Sequence, residues 1–153
     1  MTFSKKCDRD VLRLAMIRTY VDANTLIAAF RGDHPAAADA LALLADPDRT
    51  FIASLYLRLE TLRKPLFYRR ETEIAFMETY FASISLWVPT DDALVIQALD
   101  LAARLDIGAM DALHAAAALR GGAAVFVTVE RPTKPLFRVS GLDTISLHPK
   151  RVD

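Results

Sequence analysis

Four acidic residues occupy places in this chain where a carboxylate is costly unless something neutralises it. Asp22 follows a short β-rich run, and Glu130 follows the most apolar run of the chain. Glu60 lies two turns into a predicted helix, and Asp111 lies in the first turn of an alanine-rich helix. Burying an unpaired charge is unfavourable, and ligands bind at the carboxyl ends of parallel strands. We therefore expect the four carboxylates to meet at one edge of a sheet.

Carboxylates gathered in this way repel one another unless cations lie between them. Hard oxygen ligands suit Mg²⁺ or Mn²⁺. Such a metal can activate water and stabilise the charge that develops on a phosphate during hydrolysis. The single cysteine, Cys7, offers no competing set of soft ligands for zinc. The residue types therefore predict a divalent-metal site for phosphoester chemistry.

Each carboxylate also has a plainer interpretation. Asp111 could only complement the dipole of its helix. Glu60 could pair with Lys64 one turn later, and Glu130 could be a loop acid beside Arg131. Spacing alone leaves these alternatives open.

Strand and helix patterns alternate along the chain, which predicts βαβ units. The fold class is therefore α/β, a three-layer α/β/α sandwich with a mainly parallel central sheet. The predicted strands are 19–21, 50–53, 84–88, 123–129 and 143–147, and the predicted helices are 25–31, 36–45, 55–64, 71–83, 91–105 and 110–120.

Four residues are expected to define the ends of these helices. Ser54 and Thr90 are good N-caps for the helices that follow them. Pro65 is expected to end or kink its helix, and Gly108 is expected to close the helix before it.

The first 15 residues are polar and carry no strand signal, and Met16 stands directly before the first strand. We therefore predict that residues 1–15 are an extension, not part of the fold, and that residues 16–153 form a single domain. No apolar run approaches the 18 residues of a membrane span, and charged residues interrupt any signal-peptide core. We expect a cytoplasmic protein.

The totals describe an ordinary folded domain. Of 153 residues, 53% are hydrophobic, which excludes a disordered chain. Lys plus Arg and Asp plus Glu both number 19, so the formal net charge is zero. Because nucleic-acid binders often carry a basic excess, this balance argues against a protein that simply coats a duplex, and leaves room for a local basic patch.

Four segments, in the correct order, resemble the motifs of the PIN domain family. Tyr20–Ile27 is similar to the opening motif, and Ser54–Glu60 is similar to the second motif, in which an acid follows Ser or Thr by six residues. Met110–Leu119 is similar to the third motif, an Asp that opens a small-residue helix. Val127–Glu130 is similar to the fourth, and the resemblance spans residues 17–147.

This resemblance implies a metal-dependent endoribonuclease, most often a VapC-like toxin of a type II toxin–antitoxin system, with Mg²⁺ or Mn²⁺ as cofactor and RNA as substrate. It implies that Asp22, Glu60 and Asp111 are catalytic metal ligands, with Glu130 as a peripheral fourth. Position 130 departs from the family pattern, which usually has Asp there. A second metal is therefore less firmly implied than a first.

Residues around the ligands also have roles by this resemblance. Asn24 would orient a ligand or its water by hydrogen bonding, and Thr128 would hold the first carboxylate or a metal-bound water. Arg131 and Lys134 adjoin Glu130, and we expect them to contact the RNA backbone. A second basic cluster, which could equally be a solvated helix end, consists of Arg63, Lys64, Arg69 and Arg70. We interpret His114, one turn after Asp111, as a structural hydrogen-bonding residue and not as a general base.

The resemblance further implies a cognate antitoxin protein and a homodimer. We expect their contacts near the aromatic-rich run 66–68 and the helix 74–81. Two other functions remain open. One is a catalytically inactive PIN-like module that binds RNA or a protein. The other is a phosphatase of small phosphoesters, disfavoured because Asn24 interrupts an Asp-x-Asp motif.

Overall fold

The computed structural model of the chain describes residues 16–150. The predicted extension, residues 1–15, lies outside the described residues, as do residues 151–153 of the predicted domain. None of the helices within residues 16–150 is both long and apolar enough to cross a membrane.

Strands and helices alternate, as the sequence predicts. The strands are β1 (Ile17–Val21), β2 (Arg49–Ala53), β3 (Leu86–Trp87), β4 (Val125–Thr128) and β5 (Asp143–Ser146). The helices are α1 (Ala23–Arg31), α2 (Ala37–Leu44), α3 (Leu55–Phe67), α4 (Glu71–Ala82), α5 (Asp92–Leu105) and α6 (Ala109–Arg120), with a 3₁₀ turn at Pro135–Arg138.

The five strands form one sheet in the order β3-β2-β1-β4-β5, and every pair is parallel. Tyr20 at the centre pairs with Ile52 on one side and with Phe126 on the other. These three side chains therefore lie in a row on one face, because neighbours in register share a face. The arrangement confirms the α/β class and the central parallel sheet.

One face of the sheet is covered by an alanine layer, which we define as Ala112 and Ala115–Ala118 of α6. All of these alanines are buried, and they join the core cluster that contains Tyr20 and Phe126. Small side chains let the helix lie close to the sheet. Gly121 at the end of α6 extends this closeness, since a Cβ there would lie 2.7 Å from Ile52 Cδ1.

The opposite face is covered by an aromatic layer, which we define as Met77, Tyr80 and Phe81 of α4 together with Phe51 of β2. The ring of Tyr80 meets those of Phe51 and Phe81 edge-on, with centroids 5.6 and 5.7 Å apart. All four side chains are buried. This layer is filled by large side chains, which differs from the alanine layer across the sheet.

One predicted helix boundary and one predicted capping hydrogen bond are wrong. Helix α3 continues through Pro65 to Phe67. Pro65 lies in the last turn, where the missing N–H deprives only one carbonyl, that of Thr61, of its donor. Ser54 precedes α3 but makes no capping hydrogen bond, because its hydroxyl lies 2.9 Å from that of Tyr20.

The region around α5 also differs from prediction. Asp91, not Thr90, caps this helix by accepting a hydrogen bond from the amide of Leu94 at 2.9 Å. Helix α5 ends with Asp106 in the left-handed conformation, and Gly108 precedes α6 as its N-cap residue instead of closing α5. The predicted strand 84–88 shrinks to Leu86–Trp87 at the edge of the sheet.

Candidate active site

Asp22 lies at the carboxyl end of β1, where the chain turns into α1. Its Oδ1 accepts hydrogen bonds from the backbone N–H of Thr25 at 2.9 Å and from the Thr25 hydroxyl at 2.6 Å. Asp22 is therefore the N-cap of α1. Its backbone N–H donates to the carbonyl of Val127 in β4 at 3.0 Å, which ties the residue to two strands.

The carboxylate of Asp22 carries a charge that its surroundings only partly compensate. The residue is 7% exposed and forms no ion pair with any residue between 16 and 150. Burial raises the pKa of Asp22 above its ordinary value, and the hydroxyls of Thr128 and Thr25 oppose that rise. A cation beside Asp22 would compensate the remaining unfavourable free energy of burying this charge.

Glu60 projects from the second turn of α3 and is partly exposed. Its Oε1 lies 2.7 Å from Nε2 of His114 in α6, whose side chain is 2% exposed. No ion pair joins Glu60 to Lys64 in the described part of the chain. The plainer interpretation of Glu60, as one half of a helical surface pair, therefore has no support in the structure.

His114 also contacts the interior of the sheet. Its Nδ1 lies 2.7 Å from the Tyr20 hydroxyl, which in turn lies 2.9 Å from Oγ of Ser54. Burial raises the pKa of Tyr20 far above its ordinary value, so the phenol keeps its proton. The predicted structural role of His114 is confirmed, and its hydrogen bonds extend from the core to Glu60.

Asp111 and Glu130 line one cavity of about 200 Å³, together with Lys134 and the start of α6. Loss of solvation raises the pKa of Asp111; the charge of His114 opposes this rise, and the carboxylates of Glu130 and Glu60 add to it. The ammonium group of Lys134 lowers the same pKa. Asp111 therefore experiences the fields of two other predicted ligands.

The structure thus brings the predicted ligands into one neighbourhood without closing them into a cage. Within residues 16–150, no three His, Cys, Asp or Glu side chains are grouped closely enough to hold a metal ion. The donors still suit Mg²⁺ or Mn²⁺ in kind. The raised pKa values of Asp22 and Asp111 reflect charges that a divalent cation would stabilise. The site fits such a cation in chemistry and charge, and it is open in geometry.

Thr128 and Asn24, which were predicted to support the ligands, lie in two different places. Thr128 is buried beside Asp22, and its hydroxyl accepts a hydrogen bond from the N–H of Glu130 at 3.1 Å. Asn24 is exposed and lines a different cavity, of about 470 Å³, with Arg31 and Val129. The role of Asn24 stays a prediction.

The basic residues predicted to contact RNA lie beyond β4. Arg131 and Lys134 are both exposed, and Lys134 borders the cavity that contains Asp111 and Glu130. The other basic cluster, 63–70, is exposed along the end of α3 and the turn after it. Of the two clusters, the first thus borders the cavity of Asp111 and Glu130, through Lys134.

Sequence reasoning missed two contributors to this site. Thr25 holds Asp22 with both its amide and its hydroxyl, and its position three residues after an Asp N-cap could have signalled this role. Tyr20 was expected only as part of an apolar strand, yet its hydroxyl links Ser54 to His114. No local pattern predicts that link, since the three residues lie on separate elements.

Solved structures of similar fold come from toxin–antitoxin complexes. VapBC2 from Rickettsia felis, bound to a DNA fragment from their promoter, aligns with a TM-score of 0.62 and 17% identity over 85% of this chain and 100% of that chain. DNA-bound VapBC from Salmonella typhimurium gives a TM-score of 0.62 and 19% identity over 86% and 99%. VapBC-1 from nontypeable Haemophilus influenzae gives 0.62 and 18% over 87% and 100%. At these identities the likeness supports the fold.

The comparison of sequences adds a family assignment. No curated protein matches the chain. The family model of the PIN domain matches residues 19–131, a stretch that contains Asp22, Glu60, Asp111 and Glu130. The chain belongs to the PIN domain family.

Proposed function

We propose that this protein is a metal-dependent endoribonuclease that hydrolyses RNA phosphodiester bonds. PIN domains are generally nucleases. The observation that carries the proposal is the state of Asp22, a buried carboxylate with no cationic partner within residues 16–150, at the sheet edge that Glu60 and Asp111 also approach.

Asp22, Glu60 and Asp111 would hold one Mg²⁺ or Mn²⁺, with Glu130 as a peripheral fourth ligand. Such an ion supplies an activated water and stabilises charge on the scissile phosphate. Thr25 fixes the Asp22 carboxylate through two hydrogen bonds. Both bonds reach Oδ1, so Thr25 does not occupy the second carboxylate oxygen.

Arg131 and Lys134 would bind RNA phosphates next to the reacting bond. Both are exposed, and Lys134 lines the cavity of Asp111 and Glu130. Because the net charge of the chain is zero, this local patch would supply most of the attraction. RNA binding should therefore weaken as salt is added, with a shallow dependence set by a few phosphate contacts.

RNA cleavage with Mn²⁺ tests the proposal. The purified protein should cleave RNA, and Asp22→Asn should lower the rate by roughly 100-fold or more, because a ligand matters at least as much as the residues behind it. Asp39→Asn makes the same chemical change at an exposed position of α2 and should leave cleavage unchanged. Equal rates in the Asp22 variant and the parent would refute a metal-dependent active site at this edge.

A second variant tests the peripheral ligand. Glu130→Gln should keep measurable cleavage with Mn²⁺, because three carboxylates would still hold one ion. Complete loss of activity in a folded Glu130→Gln protein would place Glu130 among the essential ligands. Measuring the rate against Mn²⁺ concentration separates weaker metal binding from slower chemistry.

We further propose that the protein is the toxin of a type II toxin–antitoxin pair and that it dimerises. The similar structures are VapBC complexes, and Leu66, Phe67 and Tyr68 are 58%, 78% and 59% exposed. An exposed apolar run of this size suits a protein partner. The helix 74–81 offers less apolar surface to a partner, because Met77, Tyr80 and Phe81 are buried.

The adjacent gene provides the test of this pairing. It should encode a short DNA-binding protein with a flexible tail, and that protein should co-purify with the chain. Phe67→Asp should weaken the complex while leaving the protein folded, because Phe67 is the most exposed of the three apolar residues. A complex that is unaffected by Phe67→Asp would place the partner elsewhere.

One observation favours a second function, a catalytically inactive module that binds RNA or a protein. The carboxylates do not enclose a cation within residues 16–150, and Glu60 is engaged by His114. Calorimetric titration with Mn²⁺ separates the two functions. Binding that Asp22→Asn abolishes supports the nuclease, and no binding by the parent protein supports the inactive module.

A further inference from the structure

A chain of polar groups runs through the alanine layer from the core to the candidate site. It consists of Ser54 Oγ, Tyr20 Oη, the two ring nitrogens of His114 and Glu60 Oε1, at successive distances of 2.9, 2.7 and 2.7 Å. Ser54 and Tyr20 are 0% exposed, and His114 is 2% exposed. Polar groups this deeply buried are costly unless they are paired, and here each of them is.

The carboxylate of Glu60 determines which group donates and which accepts in each hydrogen bond of this polar chain. An ionised Glu60 can only accept, so Nε2 of His114 must carry a hydrogen. A neutral imidazole protonated at Nε2 has an acceptor at Nδ1, and the Tyr20 phenol donates to it. The Tyr20 oxygen then accepts from the Ser54 hydroxyl. With a neutral imidazole, this arrangement gives each of the four groups a partner.

We propose that His114 is a positioning residue, which orients the Glu60 carboxylate for metal binding through its Nε2–H while Tyr20 and Ser54 fix the tautomer of its ring. The inference rests on the proposed function, because it assigns His114 a task at the same metal site. It goes beyond that proposal by naming the residues behind one ligand.

The position of Glu60 explains why its carboxylate would need a hydrogen-bond partner such as His114. Glu60 is a long side chain on α3, partly exposed, and it lies on a different element from the other ligands. Its hydrogen bond to α6 connects it to the helix that carries Asp111. The hydrogen bond of Glu60 uses Oε1, which leaves its Oε2 atom to bind a cation.

The tautomer can be measured without metal or RNA. Nitrogen-15 NMR of the folded, metal-free protein at alkaline pH, where imidazoles are neutral, should find the hydrogen of His114 on Nε2. The nitrogen shifts should change in Tyr20→Phe, which removes the donor to Nδ1. A hydrogen on Nδ1 in the parent protein would overturn the assignment.

Mn²⁺ affinity, measured by calorimetry, tests the positioning itself. In His114→Asn, the shorter amide reaches the place of Nδ1 but not that of Nε2, so affinity should fall by roughly 10- to 100-fold, as is usual for partners of metal ligands. In His114→Gln the amide nitrogen reaches the place of Nε2, and most of the affinity should return. Equal affinity in His114→Asn and the parent would overturn the inference.

Two tyrosines provide a matched control. Tyr20→Phe should weaken Mn²⁺ binding several-fold through the ring of His114. Tyr80→Phe removes a buried hydroxyl that has no partner within residues 16–150, and it should leave Mn²⁺ affinity unchanged. Equal effects of the two substitutions would overturn the role of the polar chain. No binding by the parent protein, in contrast, would overturn the proposed function and the positioning role with it.

Discussion

The two faces of the sheet are covered by side chains that differ in size and in polarity. The alanine layer consists of small side chains, and on its face of the sheet a connected series of polar groups from Ser54 to His114 is buried. The aromatic layer consists of large side chains, and its one buried hydroxyl, that of Tyr80, has no hydrogen-bond partner within residues 16–150. Close approach of helix and sheet therefore coincides with the polar network that reaches the site.

The difference teaches that small residues here do more than fill space. Alanines on α6 bring the backbone of that helix close enough to the sheet for His114 to reach Tyr20. On the other face, α4 contributes large side chains, and the ring of Tyr80 packs edge-on against those of Phe51 and Phe81. Substitutions on the two faces should therefore lower stability for opposite reasons. In the aromatic layer the cause should be lost volume, and in the alanine layer it should be added volume.

The largest expected effect is on the aromatic layer. Met77 is fully buried in it, and Met77→Ala should lower the free energy of unfolding by about 2–5 kcal/mol, because it leaves a cavity. Met77→Leu keeps most of the volume and should cost less than about 1.5 kcal/mol. Urea denaturation measures both. If the two variants are equally stable, volume is not what this layer requires.

The alanine layer should instead reject added atoms. At Gly121 a Cβ would lie 2.7 Å from Ile52 Cδ1 and 2.8 Å from Val88 Cγ2, so Gly121→Ala should cost about 1–3 kcal/mol through overpacking. Gly108→Ala is the matched control, since nothing lies within 4 Å of a Cβ there. Thermal unfolding should find the Gly121 variant clearly less stable than the Gly108 variant. The reverse order would contradict close packing at the end of α6.

The two buried tyrosines allow the comparison to be made at the level of one oxygen atom. Tyr20→Phe should lower the free energy of unfolding by about 1–3 kcal/mol, because it leaves buried groups of Ser54 and His114 without their partner. Tyr80→Phe removes an unpartnered hydroxyl and should be neutral or stabilising. Parallel denaturation curves measure the difference. A larger loss for the Tyr80 variant would reverse the assignment of polar and apolar faces.

The smallest expected effect concerns Asp22. Its pKa is raised in the folded chain, so the folded state holds this proton more tightly than the unfolded state does. Stability from this group is therefore greatest in acid and declines as the pH rises from the ordinary carboxyl value of 3.8 through the raised one. Asp22→Asn keeps the cap of α1 and should stabilise the metal-free protein at neutral pH by about 0.5–2 kcal/mol.

Melting temperatures measured across that pH range, with and without Mn²⁺, check this prediction. The parent protein should gain stability from Mn²⁺ by mass action, and the Asn variant should not. Asp39→Asn again serves as the control for the loss of one charge. An Asn variant that is less stable than the parent at neutral pH would mean that the charge of Asp22 is already compensated in the metal-free fold.

Much of the fold could be predicted because its signals are local. Apolar runs such as 123–129 and amphipathic helices such as 71–83 identify the elements, and their alternation identifies the parallel sheet. Predictions failed where the position of a residue in the fold decided the outcome. Ser54 satisfies a helix cap in isolation, yet in the fold its hydroxyl bonds to Tyr20. The local rule for Pro65 likewise gave way to its place in the last turn of α3.

The candidate site could be predicted as a set of residues but not as a geometry. The resemblance to the PIN motifs implies Asp22, Glu60, Asp111 and Glu130 as ligands, and that role stays a prediction, although all four lie at or near the carboxyl edge of the sheet. The bond between Glu60 and His114 joins α3 to α6. Such a contact depends on how helices pack across strands, which a single sequence does not specify.

The order of the strands has a consequence for how the chain folds during synthesis. Strand β1 lies between β2 and β4, with Tyr20 opposite both Ile52 and Phe126. The chain segment between β1 and β4 is longer than the segment between β1 and β2, so closing it costs more entropy. Strand β4 is also synthesised long after β2. A nascent chain that has only reached β3 already holds Asp22 and Glu60, but the slot beside β1 is empty and Val127 cannot yet accept the N–H of Asp22. Synthesis of β4 must therefore be complete before the sheet edge that holds Asp22 can form.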